Sequence, residues 1–385
     1  MLTMAGIATL LIWTYLAAAH GRFWQISRFT ADERISSPSS DLVAAVIPAR
    51  NEAEVIGRCV TSLLQQEGVR RLQIFLVDDG SSDGTAELAL QAVQTAGKTT
   101  QLTIVTGRPL PSGWSGKLWA VQQGVERARE LNPDFLLLTD ADIEHGPRSI
   151  AMLTTIAQSQ RFDLVSFMVK LYCQSLAERA LVPAFVYFFF QLYPPAWISS
   201  PRRKTAGAAG GSILVRPQAL ERAGGIQAIR NEIIDDCALA RAVKRSGGKV
   251  WLGISAETSS IRPYGTFTEV GRMISRSAFN QLQHSTLLLL MALGGMTVTY
   301  LLPPALALFS GRPVPAVLGA AAWAIMAGTF LPIVRFYRLN PFWSLSLPMI
   351  AVFYMGATFH SAFKFWTGRG GEWKGRVQDP AGAGD

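Results

Sequence analysis

The sequence predicts a doubly wound α/β domain followed by membrane-spanning helices. Three observations carry this reading. Apolar strand-like runs alternate with amphipathic helical segments between residues 41 and 143. Polar residues, above all carboxylates, gather where those runs end. Residues 287–363 then contain no acidic side chain, whereas 20–286 has the mixed charge of an ordinary globular protein.

The elements follow in chain order. Residues 3–19, TMAGIATLLIWTYLAAA, form an uncharged apolar run of marginal spanning length. A signal peptide would begin with a basic segment, and Met1–Ile7 has no Lys or Arg. Arg22 and Arg28 come after the run, so the positive-inside rule places the N-terminus outside and the next domain in the cytoplasm. A transmembrane anchor over residues 1–20 is expected.

DLVAAVIPA (41–49) is apolar throughout, as a buried parallel strand would be. EAEVIGRCVTSLLQQ (52–66) has helical spacing at Val55, Ile56, Val60, Leu63 and Leu64. LQIFLVDDGSSDGT (72–85) is a second strand that ends in acids and a turn, and TAELALQAVQTA (85–96) is a helix. QLTIVTG (101–107) is the third strand and GKLWAVQQGVERARE (116–130) a helix. DFLLLTDADI (134–143) is the fourth strand, with acids at its end. Doubly wound sheets bind ligands beyond the carboxyl ends of their strands. Arg50, Asn51 and Glu52, Asp78 and Asp79, and Asp140 and Asp142 therefore rim one expected pocket.

Residues 180–198, ALVPAFVYFFFQLYPPAWI, suit either an element lying in the bilayer interface or a buried helix. Three more apolar runs, near 286–309, 314–334 and 344–363, make a C-terminal membrane domain over 286–366. Pro303, Pro304, Pro332 and Pro348 interrupt them, which spanning helices tolerate when neighbours satisfy the freed carbonyls. Four spans from an outside N-terminus would leave the C-terminus outside. Lys364, Arg369, Lys374 and Arg376 then break the positive-inside rule, so one run is re-entrant or lies along the surface. The sequence leaves open which.

The bulk composition narrows the function classes. Of 385 residues 49% are apolar and the net charge is +9, yet no basic stripe carries interleaved aromatics, which argues against a nucleic-acid partner. A basic, membrane-attached chain suits anionic headgroups or anionic substrates. Cys59, Cys173 and Cys237 are scattered, with neither a disulfide framework nor zinc-ligand spacing, so core packing in a reducing compartment is expected.

Two acids at i and i+2 in TDADIEHGP (139–147) can converge on a hard cation that also takes phosphate oxygens; a solvated loop is the plain alternative. His145, just after the acids, reads as a loop histidine, with a further ligand as the alternative. In LVDDGSSDGT (76–85) the turn at Asp83-Gly84 explains Ser81 to Gly84, but not Asp78 and Asp79. In NEIIDDCALARAVKRSG (231–247), Asp235 and Asp236 open a helix that buries Ile234, Cys237, Leu239 and Val243, and first-turn acids also favour the helix dipole. TAGAAGGSILVRP (205–217) is Gly-rich before a strand. GRMISRSAFNQLQ (271–283) sets Arg272 and Arg276 one helical turn apart, as a diphosphate grip, a lipid-phosphate grip or ordinary juxtamembrane charge.

VIPARNE, VDDGSSDGT and TDAD, in this order and spacing, resemble the family 2 glycosyltransferases of GT-A fold, over roughly residues 42–280. PSGWSGKLWAVQQG (111–124), IIDDCAL and the trailing apolar helices are similar to the hopanoid-biosynthesis-associated membrane glycosyltransferases. The resemblance implies a GT-A domain over 41–280, a doubly wound mixed sheet, with a nucleotide-diphospho-sugar donor and Mg²⁺ or Mn²⁺. It implies that Pro48, Arg50 and Glu52 line the nucleotide pocket and that Asp78 or Asp79 contacts the base. Asp140 and Asp142 would hold the ribose and the metal, and Lys117 would approach the diphosphate. Gly210 and Gly211 would lie in the loop under the donor sugar, and Arg272 and Arg276 would serve the donor. Asp236 would be the catalytic base that takes a proton from the acceptor hydroxyl. The family shows Glu-Asp where this chain has Asp235-Asp236, which leaves the role of Asp235 open. Gln-x-x-Arg-Trp, carried by processive polysaccharide synthases, is missing.

The expected function is a membrane-bound inverting glycosyltransferase on the cytoplasmic face of the inner membrane. It would move sugar to a lipid or hydrophobic acceptor in hopanoid or other glycolipid biosynthesis. The competing class is a non-catalytic membrane scaffold that keeps the nucleotide-sugar pocket; retention of Asp140, Asp142 and Asp236 together counts against it. A transporter would need acids within the spans, where there are none.

Overall fold

The computed structural model describes residues 1–28, 39–367, 372–373 and 376–377. Arg369 and Lys374, used above to weigh the topology, lie outside the described residues. The chain forms two compact units. One comprises Phe29–Tyr172, Trp197–Arg262 and Glu372–Asp385; the other comprises Met1–Arg28, Cys173–Ala196 and Pro263–Gly371. Residues 173–196 and 263–280, expected within a 41–280 domain, group with the apolar helices instead.

The first unit is built on an eight-stranded sheet. Its strands are β1 Ser39–Ala49, β2 Val69–Asp78, β3 Leu102–Thr106, β4 Phe135–Leu138, β5 Ile143–Glu144, β6 Leu164–Lys170, β7 Ile213–Val215 and β8 Val250–Ser260. Their order across the sheet is β3-β2-β1-β4-β7-β6-β8-β5. β1, β2, β3 and β4 pair in parallel, β7 runs antiparallel to both β4 and β6, and β5 pairs antiparallel to β8. The sheet is mixed for a simple reason. A three-residue β7 inserted between β4 and β6 reverses direction, and β6 with β8 then restarts a parallel pair. The expected fourth strand, 134–143, is two strands: β4 and β5 are separate, and the acids lie in the break between them.

Helices cover both faces, so β1 is buried from Val43 to Ala49 with no polar alternation. Val43, Ala45 and Ile47 face the core shared with the helices Ala53–Leu64, Thr85–Thr95 and Ser149–Ser159. Val46, one residue out of phase, faces the helix Gly116–Arg129. There the approach is close. A Cβ on Gly124 would come within 2.4 Å of Val46 Cγ1 and 2.8 Å of Val77 Cγ2. Cys59 and Cys237 are buried and Cys173 is half-buried.

The second unit is helical. Leu176–Ile198, Thr286–Phe309, Pro313–Phe336 and Pro341–Trp366 are long and apolar enough to cross a membrane, while Leu2–Ala18 is shorter. The aromatic segment 180–198 is a helix over Leu176–Leu192 that turns its rings onto its own unit. Tyr187 packs edge-on against Phe23 and Phe330, and Phe188 against Tyr300 and Tyr354. The Tyr187 hydroxyl lies 2.8 Å from Thr329 Oγ1.

Pro303 and Pro304 create a local problem whose solution is visible. Residues Thr297–Leu301 form a wide helical turn in which Leu302 N–H reaches back five residues to the Thr297 carbonyl. The Thr299 carbonyl would accept from residue 303 in an α-helix or from residue 304 in the wide turn, and both are proline. Trp13 of the N-terminal helix donates its Nε1–H to that carbonyl at 2.7 Å. The helix Leu2–Ala18 thus supplies a bond the helix it packs on cannot make for itself.

Two substitutions test these contacts. Trp13→Phe keeps an aromatic ring but removes the donor and part of a buried side chain, and should lower stability in detergent by about 1–3 kcal/mol, read as a lower thermal midpoint. Gly124→Ala should cost about 1–3 kcal/mol by forcing the helix off the sheet; an unchanged midpoint would show that the contact yields freely.

Candidate active site

The ends of β1 and β2 are tied to each other through backbone amides. Asn51 N–H donates to Ser81 Oγ at 3.0 Å, and Asn51 Oδ1 accepts from Ser82 N–H at 2.9 Å. Glu52 N–H donates to Thr85 Oγ1 at 2.8 Å, and Ala53 N–H to Asp83 Oδ2 at 3.0 Å. Asn51 holds a left-handed φ of 52°, which asparagine tolerates better than most side chains. The polar turn after a buried strand is thus a clasp between two loops. Asp78 belongs to the same clasp: its Oδ1 accepts from Ser81 N–H at 2.9 Å, so the turn that was expected to begin at Ser81 reaches back to it. Asp79 is buried, with Arg50 Nη1 at 3.6 Å from its Oδ2; Arg50 also donates to the Asp79 carbonyl.

The central cluster draws on β4, the helix Gly116–Arg129, the Gly-rich loop before β7 and the helix Asp235–Arg245. Ser115 caps the first of these helices, and Lys117 stands in its opening turn. Lys117 Nζ lies 2.9 Å from Asp140 Oδ1 and 3.1 Å from Asp235 Oδ2. Burial acts to lower the Lys117 pKa, but the flanking Asp140 and Asp235 carboxylates outweigh it and hold the ammonium charged well above its ordinary range. Asp140 is raised by burial and by its acidic neighbours, against the pull of Lys117. Asp236 carries no such cation. It accepts Gly210 N–H at 2.8 Å and Cys237 N–H at 2.6 Å. Burial, then the adjacent Asp235, push its pKa up to about 7.

Gly210 explains how the loop approaches. A Cβ there would sit 3.5 Å from Asp236 Oδ2 and 3.7 Å from Lys117 Nζ, among the charged groups. The Gly211 carbonyl accepts from Thr139 Oγ1 at 2.8 Å, and Thr139 Oγ1 is 3.0 Å from His145 Nε2. His145 sits in the loop after β5, as read from the sequence, and is buried there beside Ser149. Burial lowers its pKa to about 4, so it is neutral. A cavity of about 30 Å³, lined by Pro48, Lys117, Asp140, Gly210, Asp235 and Asp236, backs onto Leu118, Val121 and Leu239.

Asp142 turns to a residue that sequence reasoning missed. Arg262, just past β8, places Nε 3.1 Å from Asp142 Oδ2 and pairs through Nη2 with Glu52. Ser260 Oγ lies 3.2 Å from the same Asp142 oxygen. Arg272 and Arg276 belong to the helical unit, where both are exposed at the end of the helix Phe267–Ser275.

The donor set suits a hard divalent cation in one limited way. Among the described residues no group of three His, Cys, Asp or Glu side chains could hold a metal. Asp140 and Asp142 each have one oxygen engaged by a basic side chain and one carboxylate oxygen left over. Two carboxylate oxygens, completed by water and phosphate oxygens, match the way Mg²⁺ and similar ions bind. Asp140 and Asp142 are the residues that would hold such an ion.

Comparison with known proteins fits this geometry. Residues 44–224 match the family model of glycosyl transferase family 2. An undecaprenyl-phosphate 4-deoxy-4-formamido-L-arabinose transferase of Pseudomonas aeruginosa is 33% identical over 129 residues, 32% of this chain and 34% of that protein. A 4,4'-diaponeurosporenoate glycosyltransferase of Staphylococcus haemolyticus is 30% identical over 137 residues, 35% of this chain and 34% of that protein. An uncharacterised protein of Methanocaldococcus jannaschii is 28% identical over 133 residues, covering 34% of this chain and 49% of its own length. The chain thus spans a third to a half of the curated relatives it matches. Among solved structures, a mannosyltransferase of Pyrobaculum calidifontis in complex with GDP-Man and Mn²⁺ superposes with a TM-score of 0.55 at 17% identity, over 94% of this chain and 99% of that one. The fold is GT-A-like: a mixed α/β sheet domain with long apolar helices after it.

The raised Asp236 carboxyl has a consequence for stability that needs no substrate. An acid with a pKa of about 7 in the fold keeps its proton while the unfolded chain, near 3.9, loses it. Stability therefore falls as pH rises from ~4 to ~7 and levels off above. Asp236→Asn does not titrate, so its thermal midpoint should gain on the wild type across that window. Parallel pH profiles for the two proteins would show Asp236 ionising normally.

Proposed function

We infer that this chain, whose residues 44–224 match the family model of glycosyl transferase family 2, is a membrane-bound inverting glycosyltransferase. It moves a sugar from a nucleotide-diphospho-sugar to a lipid or hydrophobic acceptor. The observation that carries this is the convergence of Asp140, Lys117, Asp235 and Asp236 around Gly210, with Asp236 held by backbone amides, in no ion pair among the described residues, and raised to about 7.

Each residue then has a role. An acceptor hydroxyl is a poor nucleophile, and Asp236 takes its proton as the new bond to the anomeric carbon forms. Its pKa near neutrality suits that task, and the Gly210 and Cys237 amides hold it in one orientation. Asp235 anchors Lys117, whose ammonium faces the negative charge that develops on the departing diphosphate. Displacement in line, with base and leaving group on opposite sides of the anomeric carbon, inverts that centre. Pro48, Arg50, Glu52, Asp78 and Asp79 frame the nucleotide, and Gly210 and Gly211 leave room for the sugar. A divalent ion held by Asp140 and Asp142 would neutralise the diphosphate. Mn²⁺ accompanies GDP-Man in the archaeal mannosyltransferase.

The lipid acceptor rests on the long apolar helices and on relatives named for undecaprenyl phosphate and 4,4'-diaponeurosporenoate. A hopanoid acceptor rests on the sequence resemblance alone. The cytoplasmic face of the inner membrane follows from Arg22 and Arg28 after the first apolar helix.

Purified protein with Mg²⁺ or Mn²⁺, extracted lipid and a panel of nucleotide sugars should yield a glycosylated lipid by mass spectrometry. Asp236→Asn should lower turnover by about 10²–10⁴-fold, with donor hydrolysis lost in parallel. A wild-type protein that binds no nucleotide sugar with metal present would end this reading, and binding without any turnover would mark a scaffold.

A further inference from the structure

We propose that Arg262 is a resident cation that competes with the divalent ion for Asp142, so that the ion is taken up together with the nucleotide diphosphate and not before it. The proposal rests on the nucleotide-sugar reading above and concerns a residue which that reading does not use.

The backbone places Arg262 without freedom to wander. β5 and β8 pair at Ile143↔Ser260 and Glu144↔Ser259, and Ile261 N–H donates to the Asp142 carbonyl at 2.9 Å. The two strands are thus zipped up to Asp142 itself, and the next residue on the β8 side is Arg262. Its guanidinium reaches Asp142 with Nε at 3.1 Å and Glu52 with Nη2. The carboxylates are largely shielded, Asp142 being 15% and Glu52 11% exposed, so this is no loose surface pair.

The charges explain the competition. Glu52, Asp142 and Arg262 sum to one negative charge, and so do Asp140, Asp235 and Lys117. A free dication arriving at Asp142 meets a guanidinium already seated on that carboxylate, with an ammonium on Asp140. It gains two protein ligands at most and faces two like charges across a partly shielded space. A nucleotide diphosphate changes both terms. Its oxygens complete the coordination shell of the ion, and its negative charge gives the displaced guanidinium a new partner. Glu52 keeps Arg262 tethered while the exchange occurs.

The test is Mn²⁺ affinity, read from the spectroscopic signal of unbound Mn²⁺, on full-length protein in detergent, without nucleotide and with UDP or GDP. Wild type should bind Mn²⁺ weakly alone and about tenfold or more tightly with one of the diphosphates, the scale of one exchanged charge pair. Arg262→Gln, or Arg262→Met if the first folds poorly by thermal melt, should bind Mn²⁺ alone about fivefold or more tightly than wild type. Arg262→Lys, which keeps the charge without the planar fork, should stay near wild type. A neutral variant that binds Mn²⁺ alone no more tightly than wild type would overturn the proposal, and so would a Lys variant matching the neutral ones, since Arg262 would then only orient Asp142. If neither diphosphate binds wild type with Mn²⁺, the nucleotide-sugar reading fails, whereas the nucleotide-free titrations still decide the competition.

Discussion

Carboxylates at the open ends of buried strands must be neutralised, and the architecture of this site follows from how that is done. Glu52, Asp140, Asp142, Asp235 and Asp236 crowd one rim, and Lys117 and Arg262 are the basic side chains paired with four of them. Each cation bridges two acids, so each triad keeps one negative charge. Asp236, the acid left over, is met by two backbone N–H groups and holds its proton up to about pH 7. The rim therefore carries surplus negative charge beside one carboxyl that changes its protonation state near neutral pH.

The mixed sheet is what brings these groups together. Parallel β1, β2 and β4 deliver three strand ends to one edge. The antiparallel β7 brings the Gly-rich loop back across that edge, so Gly210 can donate to Asp236. The β5–β8 pairing carries Arg262 to Asp142. Beneath the rim, Thr139, His145 and Ser149 form a buried polar chain anchored on the Gly211 carbonyl. A neutral histidine there links the loop to the helix behind the sheet without adding charge to an already crowded site.

In the helical unit the ruling constraint is a different one, a backbone carbonyl that its own helix leaves without a donor. Consecutive prolines at 303 and 304 strip the Thr299 carbonyl of both donors that helical geometry could offer, and Trp13 replaces them from another helix. A break in one helix thereby becomes a specific contact with its neighbour.

The sequence by itself determined the alternation of strands and helices through residue 138, the acids at the strand ends and the apolar stretches of the helical unit. Those signals are local: period, apolar run length and turn chemistry are written in neighbouring residues. Asp236 at a helix start was legible for the same reason. The far half of the sheet was less so, because β7 spans three residues and β5 two, too short to show a period. Partnerships were decided by the tertiary structure alone. Arg262 lies 120 positions from Asp142 and 210 from Glu52, and nothing around IRPYG marks it as part of a charged site. The same holds for the pairing of Lys117 with Asp140 and Asp235, and for the burial of His145. A side chain's type and local spacing are set by the chain, but its charge state and its partner depend on which distant groups the fold places within a few ångströms of it.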